Sequence, residues 1–202
     1  MKSKIKQLIL IFLLMVISCP AVCCADNSPM DHVKKNFDKI VLMLQSDSFI
    51  NKSEKGQQKE MYENSISNFD FKVISMLVLG RNWKRFSSSQ KDDFIKYFSR
   101  LLANIYLSKI RGDKFGKIKV DYLKTIYLKT KSKRADVYTV LHYNVETPVV
   151  YRMIKKKSAP WKVYDILIEG VSLVANFRET YKEKILEPPE KIISELRRKL
   201  EE

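Results

Sequence analysis

The chain has 202 residues, 45% apolar and 30% charged, with 5 Gly, 6 Pro and 3 Cys. That suffices for one domain with a real core; it is too apolar for disorder and too poor in Gly and Pro for a fibrous or low-complexity protein. Its 38 Lys and Arg against 23 Asp and Glu give a net charge of +15, which suits nucleic acid, an anionic membrane surface or an acidic partner without choosing among them.

The first 25 residues narrow that choice. Lys2, Lys4 and Lys6 precede an unbroken apolar run of ten residues, Leu8 to Ile17, which is too short to span a bilayer. Pro20 breaks the run, and Cys23-Cys24-Ala25 supplies a small-residue end. The pattern reads as a secretory signal peptide over residues 1–25, cleaved after Ala25, with one domain over residues 26–202. Val16-Ile17-Ser18-Cys19 offers a competing reading, a bacterial lipobox with Cys19 lipidated, although Pro20 sits awkwardly after that cysteine. Cleavage at Ala25 removes Cys19, Cys23 and Cys24, which leaves no thiol for a disulfide, a nucleophile or a metal site. It also removes three lysines and no acid, lowering the net charge from +15 to +12. An exported protein seldom meets nucleic acid, so the positive charge is assigned to anionic lipid or an acidic protein partner.

Along the mature chain, residues 30–44 place Val33, Phe37, Ile40, Val41 and Leu44 at helical spacing. A more polar helix is expected over 57–67. Asp70 suits an N-cap for 71–79, a stretch apolar nearly all round that Gly80 should end. Ser87 to Ser89 form a cap cluster, followed by one apolar stripe of Phe94, Phe98, Leu101, Leu102, Ile105 and Tyr106. From Lys117 the period changes to two. Ile118, Val120 and Tyr122 alternate with polar residues, and strands are predicted over 135–145, 148–154 and 161–168, with residues 155–160 as a hairpin connection. Successive short connections imply an antiparallel four-stranded meander. The second and third strands are apolar on both faces, so helices must cover both, or a ligand one. After Gly170 a helix is expected over 171–185, with Leu173, Val174, Phe177 and Tyr181 inward, and Pro189 opens a last helix ending near Leu200. The fold class is α+β: a four-stranded twisted sheet wrapped by about six helices.

Catalytic raw material is sparse. The two histidines are His32, expected to be solvated at a polar helix start, and His142, in a strand with no acid beside it in sequence. The sequence holds no zinc-type spacing, nucleophile elbow or Gly-rich phosphate loop. Asp70, Asp165 and Glu169 are carboxylates beside large apolar residues, where a raised pKa could serve acid–base work. The plainer reading makes Asp70 an N-cap and the other two partners of Arg or backbone N–H groups.

These residues, taken in order, resemble the MlaC family, also called the toluene-tolerance auxiliary family. The likeness is carried by Phe69-Asp70-Phe71 leading to Leu79-Gly80-Arg81 and Trp83, then by Ser89-Gln90 with Phe94, Phe98, Leu101, Leu102 and Tyr106. It continues through Val149, Tyr151 and Met153 to Trp161-Lys162-Val163-Tyr164-Asp165, Glu169-Gly170-Val171-Ser172-Leu173-Val174 and Asn176-Phe177-Arg178. The resemblance implies an NTF2-like cone with an apolar cavity between sheet and helices, holding the acyl tails of a phospholipid as cargo and no cofactor. It implies a monomeric periplasmic carrier that shuttles lipid between an outer-membrane lipoprotein complex and an inner-membrane ABC transporter with an MCE-domain protein, maintaining outer-membrane lipid asymmetry.

Candidate lining residues are Phe71, Met76, Leu101, Tyr106, Tyr151, Met153, Ile166, Ile168, Val171 and Val174, because aromatic and Met side chains suit variable tails. For each the plainer alternative is ordinary core. Lys155 to Lys157 and Arg197 to Lys199 are candidates for steering onto acidic partners or membrane. Two other functions compete with the carrier: an NTF2-like enzyme acting on an apolar substrate with Asp70, Asp165 or His142 as base, and a basic protein that merely adheres to anionic membranes.

Overall fold

The computed structural model describes residues 28–107, 119–130, 133–142 and 145–201. The segment 1–25 expected to be an export signal, with its cysteines, Ile118, Tyr143 and the side chain of Tyr106 lie outside the described residues.

Among the described residues the chain forms seven α-helices and a five-stranded antiparallel sheet in sequential order. Helix α1 (Pro29–Leu44) starts at a capping box, where Ser28 and Asp31 bond each other's backbone N–H groups and Pro29 fills the first turn. A four-residue α2 (Asp47–Ile50) turns the chain into α3 (Glu54–Ile66). Helix α4 (Phe71–Leu79) is capped by Asp70, whose Oδ1 accepts the Val73 N–H at 3.1 Å. It stops at Gly80, whose φ of 55° a side chain resists. A short 3₁₀ stretch (Gly80–Arg85) follows, then α5 (Ser88–Leu107). Ser87 and Gln90 form the capping box of α5: Ser87 N–H donates to Gln90 Oε1 at 2.8 Å, and Gln90 N–H to Ser87 Oγ at 3.2 Å.

The strands are β1 (Lys119–Leu128), β2 (Lys133–His142), β3 (Glu146–Lys155), β4 (Trp161–Ile168) and β5 (Val171–Ser172). The fifth strand corrects the four-stranded expectation and shortens the predicted 171–185 helix. Glu169 and Gly170 have φ of 51° and 82°, which suits a two-residue hairpin, so Val171 and Ser172 pair back onto β4. Ser172 then caps α6 (Leu173–Thr180), accepting the Ala175 N–H at 3.0 Å. A turn and a short 3₁₀ segment separate α6 from α7 (Pro189–Glu201).

Two hydrophobic masses organise the molecule. A helical core joins Ile74 and Val78 of α4, Phe94, Phe98 and Leu101 of α5, Tyr181, and Ile192, Ile193 and Leu196 of α7. Phe98 is its hub, stacked on Phe94 at 5.2 Å and edge-on to Phe177 at 5.5 Å. The second mass is the inner face of the sheet, where Ala135, Val137, Met153, Trp161 and Val163 pack under Val33 of α1.

Helix α4 straddles the β4 edge. Ile74 and Val78 turn toward the helical core, whereas Val73 packs with Ile154 and Tyr164 on the outer face of the sheet. Backbone bonds secure the crossing: Asp70 N–H donates to Val163 O at 2.8 Å, and Val163 N–H to Asn68 O at 2.9 Å. The two-sided apolarity of β2 and β3 is thus answered by α1 within and by α4 at one corner without. The rest of the outer face carries Asp136 and Arg152 beside half-buried Tyr138 and Val150.

Candidate functional site

Between the helical core and the inner sheet face lies a cavity of about 350 Å³. Its roof is Tyr151 of β3 with Ile166 and Ile168 of β4. One wall is Phe71, Ile74 and Val78 of α4 with Leu102 and Ala103 of α5. Opposite stand Phe37 and Ile40 of α1 and Met61, Tyr62 and Ile66 of α3, while Leu173, Val174 and Phe177 of α6 close one end. The size falls in the range of small-molecule sites, and the lining is almost wholly apolar.

A bulge explains why Ile166 and Ile168 face inward. The register passes from Met153–Val163 to Arg152–Asp165, so Tyr164 is an extra residue. Val163 and Ile166 therefore share the inner face, while Tyr164 and Asp165 are buried in succession.

Asp165 borders the cavity but is fully engaged. Its carboxylate accepts the Ser172 hydroxyl at 2.7 Å, the Ile166 N–H at 2.9 Å, the Val174 N–H at 3.1 Å and the Arg152 guanidinium at 3.2 Å. Those bonds pin β5 and the first turn of α6 against the sheet. Asp70 is likewise committed, to the Val73 N–H and to the Lys156 ammonium at 2.5 Å. Both carboxylates therefore hold structure, as the plainer sequence reading expected. Glu169 is exposed at the hairpin.

His142 does have acidic neighbours, which the fold rather than the sequence supplies. Asp121 on β1 approaches its Nε2 at 2.9 Å, and Glu146 its Nδ1 at 3.3 Å. The ring lies outside the cavity lining. His32 departs from the solvated expectation: it is half-buried, its Nε2 has no partner among the described residues, and burial, then Lys35 and Lys162, push its pKa below the usual imidazole value. Among the described residues no group of three His, Cys, Asp or Glu side chains could hold a metal, and no helix is long and apolar enough to cross a membrane.

The predicted lining residues divide. Phe71, Tyr151, Ile166, Ile168 and Val174 line the cavity. Leu101 is packed into the helical core instead, and Met153 lies under α1 beside Trp161. Met76 is 42% exposed and Val171, moved from the predicted helix onto β5, is 62% exposed, so both stand away from the cavity. The Tyr106 side chain lies outside the described residues. Sequence reasoning expected the α3 helix but missed that it lines the cavity, as does the small residue Ala103 of α5. The signal in α3 was faint but present, since Met61, Tyr62, Ser65 and Ile66 fall at i, i+1, i+4 and i+5 in an otherwise polar helix.

Several candidate steering cations have local partners: Lys156 holds Asp70, Arg197 stacks on Tyr97 at 5.1 Å, and Lys199 reaches Glu195 at 3.6 Å.

The sequence profile of the family described as MlaC protein matches residues 34–200. The chain belongs to the MlaC family. A solved phospholipid-binding protein from Ralstonia solanacearum, in complex with a phospholipid, has a similar structure. Its TM-score is 0.69 at 20% identity, with 84% of this chain and 94% of that chain covered. At that identity the likeness establishes a shared α+β fold for this MlaC-family chain. Comparison with curated protein sequences found no match.

Proposed function

We propose that this MlaC-family protein is a periplasmic phospholipid carrier, exported by residues 1–25, which keeps acyl tails dry while they cross water. One observation carries the reading: the roughly 350 Å³ cavity is walled by apolar side chains from both layers of the fold. Family membership and the shared fold with a phospholipid-binding protein support it.

Each buried methylene is worth about 0.8 kcal/mol, so two tails of about 14–16 carbons represent on the order of 20 kcal/mol of exposure avoided. No lipid leaves a membrane at a useful rate against such a term unaided. A binding protein that covers the tails needs no covalent chemistry, and the engagement of Asp70 and Asp165 in structural bonds favours that role over a base. The family points to an outer-membrane lipoprotein complex and an inner-membrane ABC transporter with an MCE-domain protein as donor and acceptor, with lipid asymmetry as the outcome.

The test is organic extraction and mass spectrometry of the protein purified from a bacterial periplasm without detergent. About one phospholipid per chain, retained through high-salt washing, is expected. Salt-labile lipid would indicate mere surface adhesion. Folded protein that carries no lipid and takes none from vesicles would refute the carrier reading.

A further inference from the structure

The walls of the cavity are held unequally. At the α6 end the buried Asp165 carboxylate ties down β5 and the first turn of α6, and β5 pairs with β4. Helix α3 is held more lightly. Among its described side chains Met61 alone is buried, and it packs with Leu44 of α1 and Phe49 of α2 in a small cluster of their own. Segments with few buried apolar contacts open at the lowest cost.

A surface groove of about 390 Å³ runs along this lighter wall. Tyr62 and Ile66 of α3 line it with Phe69 and Phe71, and all four also line the cavity. The groove is thus the outer side of the same wall, with Ile95 and Ser99 of α5 as its far bank. Phe69 and Phe71 form a fixed post, since the backbone of Asp70 between them is bonded to Val163 of β4. A side-chain bond crosses the groove from α3 to α5, where the Tyr62 and Ser99 hydroxyls meet at 3.1 Å. Ser99 gives its single proton to Lys96 O at 3.0 Å, so Tyr62 is the donor and Ser99 the acceptor.

We propose, resting on the phospholipid reading, that acyl tails enter and leave between α3 and α5, and that the Tyr62–Ser99 hydrogen bond latches this portal. Ile66, Phe69, Phe71 and Ile95 give the tails an apolar path from groove to cavity. When α3 swings out, both hydroxyls find water, so the latch releases at the small net cost of one hydrogen bond. Ser99 does not line the cavity, so it is a positioning residue that acts through Tyr62. Breaking its bond changes how fast tails pass and leaves intact the apolar surface that holds them.

The experiment mixes protein carrying lipid from the periplasm with vesicles of chain-deuterated phosphatidylglycerol, and mass spectrometry follows deuterated lipid on the protein. Ser99→Ala is expected to exchange about fivefold faster than wild type, the scale of one hydrogen bond, and to reach the same final occupancy. A merely structural role would lower occupancy instead. A second arm attaches a polyethylene-glycol maleimide to one introduced thiol. Residues 26–202 contain no cysteine, and wild type given the same reagent controls for Cys19, Cys23 and Cys24. Labelled Ile95→Cys should stop exchanging while keeping its original lipid. Labelled Val171→Cys, exposed beside Ile168 at the α6 end, should exchange as wild type does. A Ser99→Ala protein no faster than wild type, or with reduced occupancy, overturns the latch. An Ile95 label that permits exchange, or a Val171 label that blocks it, overturns the portal. Each of those results leaves the carrier reading intact, whereas wild type that holds no lipid refutes that reading and the portal together.

Discussion

Replacing Asp165 tests how the α6 wall of the cavity is held. The side chain is 5% exposed and accepts two backbone N–H groups, a hydroxyl and a guanidinium. Asp165→Ala leaves the Ile166 and Val174 N–H groups unpaired, each costing about 1–3 kcal/mol where water cannot reach. The Arg152 side chain is 38% exposed, so solvent screens and takes over most of that contribution. Ser172 still caps Ala175. Both of those hydrogen bonds are only part-buried, so the lower half of that range applies to each and the loss should be about 2–4 kcal/mol for Ala. For Asn, which keeps an oxygen for both N–H groups and loses the charge, about 1–2 kcal/mol is expected. At about 2–4 °C per kcal/mol for a domain this size, the Ala variant should melt roughly 5–15 °C lower. The measurement is urea and thermal unfolding of delipidated protein by circular dichroism, because bound lipid would mask the difference. Lipid release should quicken in parallel, since Val174 and Phe177 stand on the helix that Asp165 anchors. An Ala variant within about 0.5 kcal/mol of wild type, or an Asn variant as damaged as Ala, would refute the argument that the backbone bonds carry the effect.

Two further outcomes follow from the same geometry. Ala103→Trp places a large ring into the roughly 350 Å³ cavity, so the protein should stay folded but purify without phospholipid; a full complement of lipid on extraction would contradict the assignment of the cavity. The hydrogen bond from Lys184, then the charges of Lys184 and Lys199, hold the Glu195 carboxyl below its usual value of 4.5. A depressed carboxyl adds stability above its unfolded pKa and loses it as pH falls through the folded one. The urea midpoints of wild type and Glu195→Gln should therefore differ most near neutrality and converge in acid, and a gap that persists at low pH would contradict this.

Much of the framework was legible because local chemistry and period agreed. Asp70 and Gly80 bracket α4 where the sequence placed its ends, and β4 runs Trp161–Ile168 as alternation and flanking turns required. The misreadings fall where period carries no information. A two-residue strand has no alternation to detect, so Val171 and Ser172 read as the start of a helix until the two positive φ values at Glu169 and Gly170 folded them back. The bulge at Tyr164 shifts every later side chain of β4 by one, which only the cross-strand register with β3 determines.

The cavity itself belongs to the tertiary structure. Leu101 and Leu102 are adjacent members of one apolar stripe, yet Leu101 fills the helical core and Leu102 lines the cavity. By itself the sequence determined which residues leave water, since the hydrophobic effect depends on removal from solvent and not on what replaces it. Whether a neighbouring side chain or an acyl tail covers them depends on how far apart helices and sheet come to rest. The bonds of Asp165, the straddling of α4 and the seat of α1 on the inner sheet set that spacing through contacts between residues far apart in the chain.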